Sequence, residues 1–220
     1  MKLVFVFLLL ITHFCKLSFV LGSKSFCFSA FPLLLALTGY LFSPLIATGT
    51  VAFYLLWSGN ALITAGIPTL VATMAWNSCS TKSSYFLRFL FFVVIPLAAI
   101  LAFCLHPIGS NAWAYSLYWL IPILIYGLER INQSIPLFFT ALQITFIAHA
   151  IGSVLWIYQI QTTAPFWQNL VSIVPIERFV FALFSTLFVK TFVSLQEYLQ
   201  SKNKLKLKGE RREGNYAYKR

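Results

Sequence analysis

Charge is what this sequence has least of. Only 10% of its 220 residues are acidic or basic, and the acidic set is five glutamates without a single aspartate. Three of those five lie in the last 25 residues, so a paired-carboxylate centre has almost no residues to draw on. No H-E-x-x-H or G-x-S-x-G motif is present, and His106, His149 and Glu177 do not make a metal-ligand set by spacing. A phosphate-binding glycine loop is also missing, so no nucleotide site is expected. The four cysteines, Cys15, Cys27, Cys79 and Cys104, have no paired spacing; a disulfide or metal framework is not expected, and they fit small apolar packing positions. No internal repeat, heptad pattern or extramembrane domain is evident. No cofactor is expected, and the chain is not expected to be an enzyme; Ser153 with His149 as its base, one helical turn apart, is the arrangement that would support one, but it lacks an identifiable oxyanion site.

What fills the space is hydrocarbon. Between Lys24 and Lys82 run 57 residues with no charged side chain, between Arg88 and Glu129 another 40, and between Arg130 and Glu177 another 46. A helix needs about 20 apolar residues to cross a bilayer, so each run is long enough for a pair of crossings, or for one crossing and a loop. With 60% hydrophobic residues and a mean hydropathy of +0.83, the outside of the folded chain must be solvated by lipid. Only helices or closed barrels satisfy their backbone groups there. The short alternating segments of a barrel are missing, so the expected class is all-α, a polytopic transmembrane helical bundle of about six spans, with six to eight compatible with the runs.

Charge placement orients the bundle. Residues 196–220 carry eight cations against three glutamates, net +5, and are expected to be a disordered, cytoplasmic tail by the positive-inside rule. Its simplest role is that of a topology determinant resting on anionic lipid; no specific nucleic-acid partner is implied. Working back from it, crossings fall at 170–195, 135–157, 112–128 and 86–105. The connections 106–111 and 159–169 lack Lys and Arg and fall outside, whereas Lys82, Arg88 and Arg130 fall inside. Trp113, Trp156 and Trp167 then mark the outer boundary and Trp76 the inner one, as in an aromatic belt. In a bacterium this is a plasma-membrane protein.

The front third leaves alternatives open. Residues 1–22 form a hydrophobic segment that is either a signal peptide, with Gly22 at its end and Lys16 interrupting it, or an extra transmembrane helix. The bundle proper spans 23–195. If Lys24 lies outside, the stretch from Phe26 to Trp76 crosses three times; if inside, twice, which suits its length better.

Ionisable residues inside hydrocarbon usually face a bundle interior, which singles out His149, Glu177, Arg178 and Lys190. At about 1.5 Å per residue, His149 lies roughly 12 Å below the outer end of its helix and Glu177 roughly 10 Å below the outer end of the next. They share a layer, so a His149 to Glu177 pair across the interface is expected. Arg178 points about 100° away, available to a ligand carboxylate. Pro175 removes a backbone donor and frees the carbonyl of Val171. Thr145, Gly152, Ser153 and Trp156 lie near His149 by helical spacing, a small-residue notch under an indole. Lys190 is expected to snorkel, and Glu129-Arg130 to form an interfacial ion pair. Ser58-Gly59-Asn60, followed by Thr64, Gly66, Pro68 and Thr69, marks either a broken helix lining a solute site, with Asn60 in it, or an ordinary loop. The alternative for the polar pairs is helix locking alone, in a membrane scaffold or assembly protein.

The stretch from Leu35 to Pro44 (LALTGYLFSP), then Gly49, Tyr54-Leu55-Leu56 and Gly66-Ile67-Pro68, resembles the early helices of the biotin-type membrane subunits of energy-coupling-factor importers. Gly152-Ser153-Val154-Leu155-Trp156 and Pro175-Ile176-Glu177-Arg178 resemble their late segments. That family carries Gly-Asp in its last helix with Lys three residues after the Asp; here stand Ile176-Glu177 and Val180, with Arg178 as the available cation. The resemblance implies a six-helix subunit that captures a small vitamin-like solute at an outward site formed by His149, Glu177, Arg178, Ser153, Trp156 and Asn60. It also implies docking on a separate transmembrane scaffold with ATPase subunits.

Overall fold

The computed structural model describes residues 16–21, 24–41, 66–80, 85–132 and 135–217, besides Gly49 and Ala52 singly, with side chains placed between 34 and 202. Asn60, with Ser58, Gly59 and Thr64, lies outside the described residues, as do residues 1–15.

The described chain is helical apart from one hairpin. Strands β1 (Lys16–Leu21) and β2 (Lys24–Ser29) pair antiparallel from Lys16 opposite Ser29 to Leu21 opposite Lys24. In β1 the polar Lys16 and Ser18 alternate with Leu17 and Phe19, which is nearer a strand period than a helical one. Part of the segment expected as signal peptide or extra helix is therefore a strand.

Eight helices follow. They are α1 (Ala30–Leu41), α2 (Gly66–Ser80), α3 (Tyr85–Leu105) and α4 (Pro107–Ser110). After a 3₁₀ segment (Trp113–Leu120) come α5 (Ile121–Ile131), α6 (Leu137–Gln159), α7 (Ala164–Leu170) and α8 (Val174–Ala217). Among the described residues three helices, Tyr85–Leu105, Leu137–Gln159 and Val174–Lys202, are long and apolar enough to cross a membrane. They coincide with three of the expected crossings, as befits an integral membrane protein. The fourth, 112–128, is split between the 3₁₀ segment and α5. The remainder of α8 is helix to Ala217, where 196–220 was expected to be disordered; its Leu, Lys, Glu, Gln and Arg are good helix formers and no proline interrupts them.

Prolines shape this bundle. Pro96 has no N–H for the carbonyl one turn back, and just before it the ladder slips to a π turn over Leu90–Val94, with the N–H of Ile95 bonding the carbonyl of Leu90. Pro122 cannot serve the carbonyl of Tyr118; the N–H of Ile121 serves it instead, at 3₁₀ spacing, and α5 begins there. Pro68 stands in the first turn of α2, where its missing donor costs nothing, so Gly66, Pro68 and Thr69 start a continuous helix.

The interior is mainly apolar, in two clusters around Trp76 and Phe103, with polar side chains set among them. Thr38, Thr73, Ser116, Gln143, Ser153 and Ser185 are buried, while Leu97, Leu101 and Leu105 on one stripe of α3 are exposed, as are Ile176, Val180, Leu183 and Leu187 on α8. Apolar stripes of this kind suit lipid. Helix α6 is central: it packs against α2, α3, α5 and α8. Helices α1 and α2 approach so closely at Gly39 that a methyl group there would overlap the carbonyl of Thr73. Trp76 and Trp167, expected in aromatic belts, are buried; Trp76 packs edge-on against Tyr40, with ring centroids 5.4 Å apart.

The expected Glu129-Arg130 pair is not formed. Neighbouring residues on a helix diverge, and Glu129 instead accepts from Arg88 of α3 at 2.5 Å. Arg130 lies over the rings of Tyr85 and Tyr126, at 4.8 and 5.8 Å.

Candidate functional site

Helix α6 contributes His149 and, one turn later, Ser153, on a face buried toward the 3₁₀ segment. A 3₁₀ helix has three residues per turn, so Tyr115 and Tyr118 of Trp113–Leu120 lie on the same side of it, and both hydroxyls reach other elements. The Tyr115 oxygen is 2.6 Å from Nε2 of His149 and 3.2 Å from Oγ of Ser153. A phenol is the stronger donor of the set, so the connected arrangement runs from the Ser153 hydroxyl to Tyr115 and from Tyr115 to Nε2, which leaves the imidazole hydrogen on Nδ1. Ser153 itself is 3.5 Å from Nε2, at the limit of a hydrogen bond. Tyr115 and Ser153 thus both reach Nε2, the tyrosine at the shorter distance.

Aromatic rings enclose this triplet. Trp167 of α7 lies 5.0 Å from Tyr115 and Phe103 of α3 lies 5.6 Å from it, centroid to centroid. Trp119 packs edge-on against both Tyr115 and Phe103 and is fully buried, with no hydrogen-bond partner for its indole N–H. The indoles against the cluster are thus Trp119 and Trp167, the second held by a 3.0 Å bond from its Nε1 to Thr162; Trp156, expected there, is 40% exposed. Gly152 faces Pro68 of α2, which a methyl group added there would meet at ordinary contact distance, so the small-residue notch on that side receives a neighbouring helix.

The start of α8 brings the charges. Its first turn holds Glu177, where a carboxylate is favoured by the helix dipole. The expected His149 to Glu177 bond is absent: Glu177 pairs with Arg178, its own neighbour. Arg178 does not point elsewhere as helical geometry alone would have it. In a low-dielectric layer a guanidinium needs a counter-charge more than it needs its ideal rotamer. Its face lies over the Phe181 ring at 4.7 Å, and its Nε is buried without a hydrogen-bond partner.

The carbonyl of Val171, expected to be left open by Pro175, lies in the turn ahead of α8 and accepts from the hydroxyl of Tyr118 at 2.6 Å. Tyr115, Tyr118 and Trp167 are thus the residues that sequence reasoning missed. Tyr and Trp in a hydrophobic run look like packing or interface residues, and only the 3₁₀ spacing brings both hydroxyls to polar partners.

Among the described residues no group of three or more His, Cys, Asp or Glu is placed to hold a metal ion. The arrangement can offer a ligand a cation with unused donors, a hydroxyl–imidazole chain and flat aromatic walls. The chain matches no protein-family model, no curated protein and no solved structure.

Proposed function

We propose that this chain captures a small, vitamin-like solute in a polar pocket that opens to the outer face of the membrane, as a transport subunit. In this reading the bundle has about six spans, the basic C-terminus is cytoplasmic and, in a bacterium, the protein resides in the plasma membrane. A separate transmembrane scaffold with ATPase subunits supplies the energy, in keeping with the resemblance of Pro175-Ile176-Glu177-Arg178 and Gly152-to-Trp156 to importer subunits.

One observation carries the reading: Arg178 is largely buried, with a side-chain exposure of 12%, and its Nε has no acceptor. A polar group left unmatched inside a bundle is costly, and a site that receives a ligand is the kind of place where such a cost is retained. Tyr115, Trp167 and Phe103 supply apolar walls nearby, and His149 and Ser153 supply orienting polar groups.

The test is mass spectrometry of small molecules that co-purify with the detergent-solubilised protein, compared with the Arg178→Gln variant. A solute enriched in the native protein and lost from the variant supports capture; its absence from a folded native protein at stoichiometric sensitivity argues against it.

A second reading, a non-catalytic assembly protein, draws on the way Tyr115, His149 and Ser153 satisfy one another. There the cluster only locks α6 to the 3₁₀ segment, and no solute is found.

A further inference from the structure

Two arginines and one glutamate meet where α3 begins and α5 ends, and the glutamate is taken. Arg88 and Glu129 pair across the two helices, so Arg130 has no carboxylate partner among the described residues. Its guanidinium lies over the rings of Tyr85 and Tyr126, at 4.8 and 5.8 Å from their centroids. Stacking occupies a face of the planar group and leaves its N–H edge, whose fork matches a phosphate. Arg130 is exposed, and no hydrogen bond engages that edge among the described residues.

Depth fixes the kind of anion. Tyr85 is the first residue of the 21-residue span Tyr85–Leu105. At 1.5 Å per residue that span is about 31 Å long, the thickness of a bilayer's hydrocarbon, so a guanidinium held on Tyr85 lies at headgroup level. Leu124, Leu128 and Ile131 form one stripe of α5 by helical spacing, and they are exposed together with Phe86 and Phe89 of α3. Gly127, one turn before Arg130, stands between the cation and this stripe. A methyl group added there would meet nothing, so an acyl chain can reach the backbone beside the arginine.

We propose that Arg130, on its tyrosine platform, holds the phosphate of an anionic phospholipid whose acyl chains lie along this stripe. The occupant is a lipid rather than a free phosphate, because apolar side chains continue from the cation and no polar wall closes round a soluble ion. A phosphodiester brings one negative charge, which balances the one that Arg88, Glu129 and Arg130 leave over. A zwitterionic headgroup carries its own cation and balances nothing, so the site discriminates between headgroups. The proposal is independent of solute capture, whose residues meet α3 at Phe103, near its other end.

Native mass spectrometry of the full-length protein, released from detergent, reads the site. Phosphatidylglycerol and phosphatidylcholine with identical acyl chains are titrated in, and the dissociation constant of the first retained lipid is compared for wild type, Arg130→Gln, Arg130→Lys and Lys202→Gln. Wild type should prefer phosphatidylglycerol by about fivefold or more. Both Arg130 variants should lose that preference, the Lys variant because a point charge does not present a fork while stacked on rings. Lys202→Gln, which removes an exposed cation from α8, should keep it. Tyr85→Leu, which takes away a ring and leaves the arginine, should weaken the preference and serves if neither Arg130 variant folds. Preference retained in Arg130→Lys, or lost equally in Lys202→Gln, shows diffuse attraction and overturns the proposal, as does a wild type that does not distinguish the lipids. Displacement of the lipid by equimolar inorganic phosphate would assign the cation to a free anion, and a dimer that disappears in the Arg130 variants would assign the face to a second copy; either overturns it.

Discussion

The hydroxyl of Tyr118 donates to the carbonyl oxygen of Val171 across 53 positions of sequence, at 2.6 Å. Val171 lies in the turn between α7 and α8, ahead of the helical ladder that begins at Val174, so its carbonyl has no intrahelical donor. The bond ties the turn that leads into α8 to the 3₁₀ segment that carries Tyr115.

If that account holds, Tyr118→Phe destabilises the protein by about 1–2 kcal/mol, the cost of leaving a buried carbonyl unpaired. Pro175 stands in the first turn of α8, where a missing donor costs nothing, so Pro175→Ala should not recover the loss in the double variant. Thermal unfolding of all four proteins in detergent reads this, and recovery by Pro175→Ala would contradict it.

Within the site, Tyr115→Phe should cost more than Ser153→Ala. The first removes a 2.6 Å bond to His149 and leaves the imidazole nitrogen without its donor; the second removes contacts of 3.2 and 3.5 Å. Interhelical polar bonds in membranes average about 0.6 kcal/mol and reach about 1.7, so the two variants should fall toward opposite ends of that range. Equal losses would mean that Tyr115 acts by packing alone.

At the other end of the bundle, Arg88→Glu and Glu129→Arg should each destabilise, and the double exchange should recover much of the loss. The Arg88 and Glu129 side chains are 29% and 12% exposed, so the coupling should lie between the roughly 0.5 kcal/mol of exposed pairs and the roughly 3 kcal/mol of buried ones. A double-mutant cycle on unfolding midpoints reads it. No recovery in the double variant would show that position, and not mutual charge, matters there.

Glycines give a packing test with built-in contrast. Gly39→Ala places a methyl group on the Thr73 carbonyl and should cost about 1–3 kcal/mol through forced separation of α1 and α2. Gly152→Ala meets only Pro68 at ordinary contact distance and should be close to neutral. Comparable folded yield and melting temperature for both variants would contradict the close approach of α1 to α2.

How much of the site was legible differs residue by residue. His149, Glu177 and Arg178 stand out in the sequence because charge and imidazole are rare inside hydrocarbon, and counting from helix ends puts them in one layer. Their partners were not legible. Pairing was expected between His149 and Glu177, but it depends on where Tyr115 arrives, and Tyr115 arrives by a 3₁₀ turn that begins before Pro122 and has no sequence period of its own. For the same reason Trp167, and not Trp156, covers the cluster: α7 is a seven-residue helix inside a segment that reads only as a connection.

By itself the sequence determined the solvent of this protein and the rough places where α3, α6 and α8 run, because long uncharged stretches have only one low-energy environment and helices are the simplest way to satisfy their backbone in it. Of the prolines, it marked only Pro175 as a missing donor. The tertiary structure alone decided what happens beside them: a π turn before Pro96, a change of helix type at Pro122, and, in the turn ahead of Pro175, a tyrosine hydroxyl on the carbonyl of Val171. Which donor meets a freed acceptor is set by distances between elements far apart in the chain, and no local pattern encodes them.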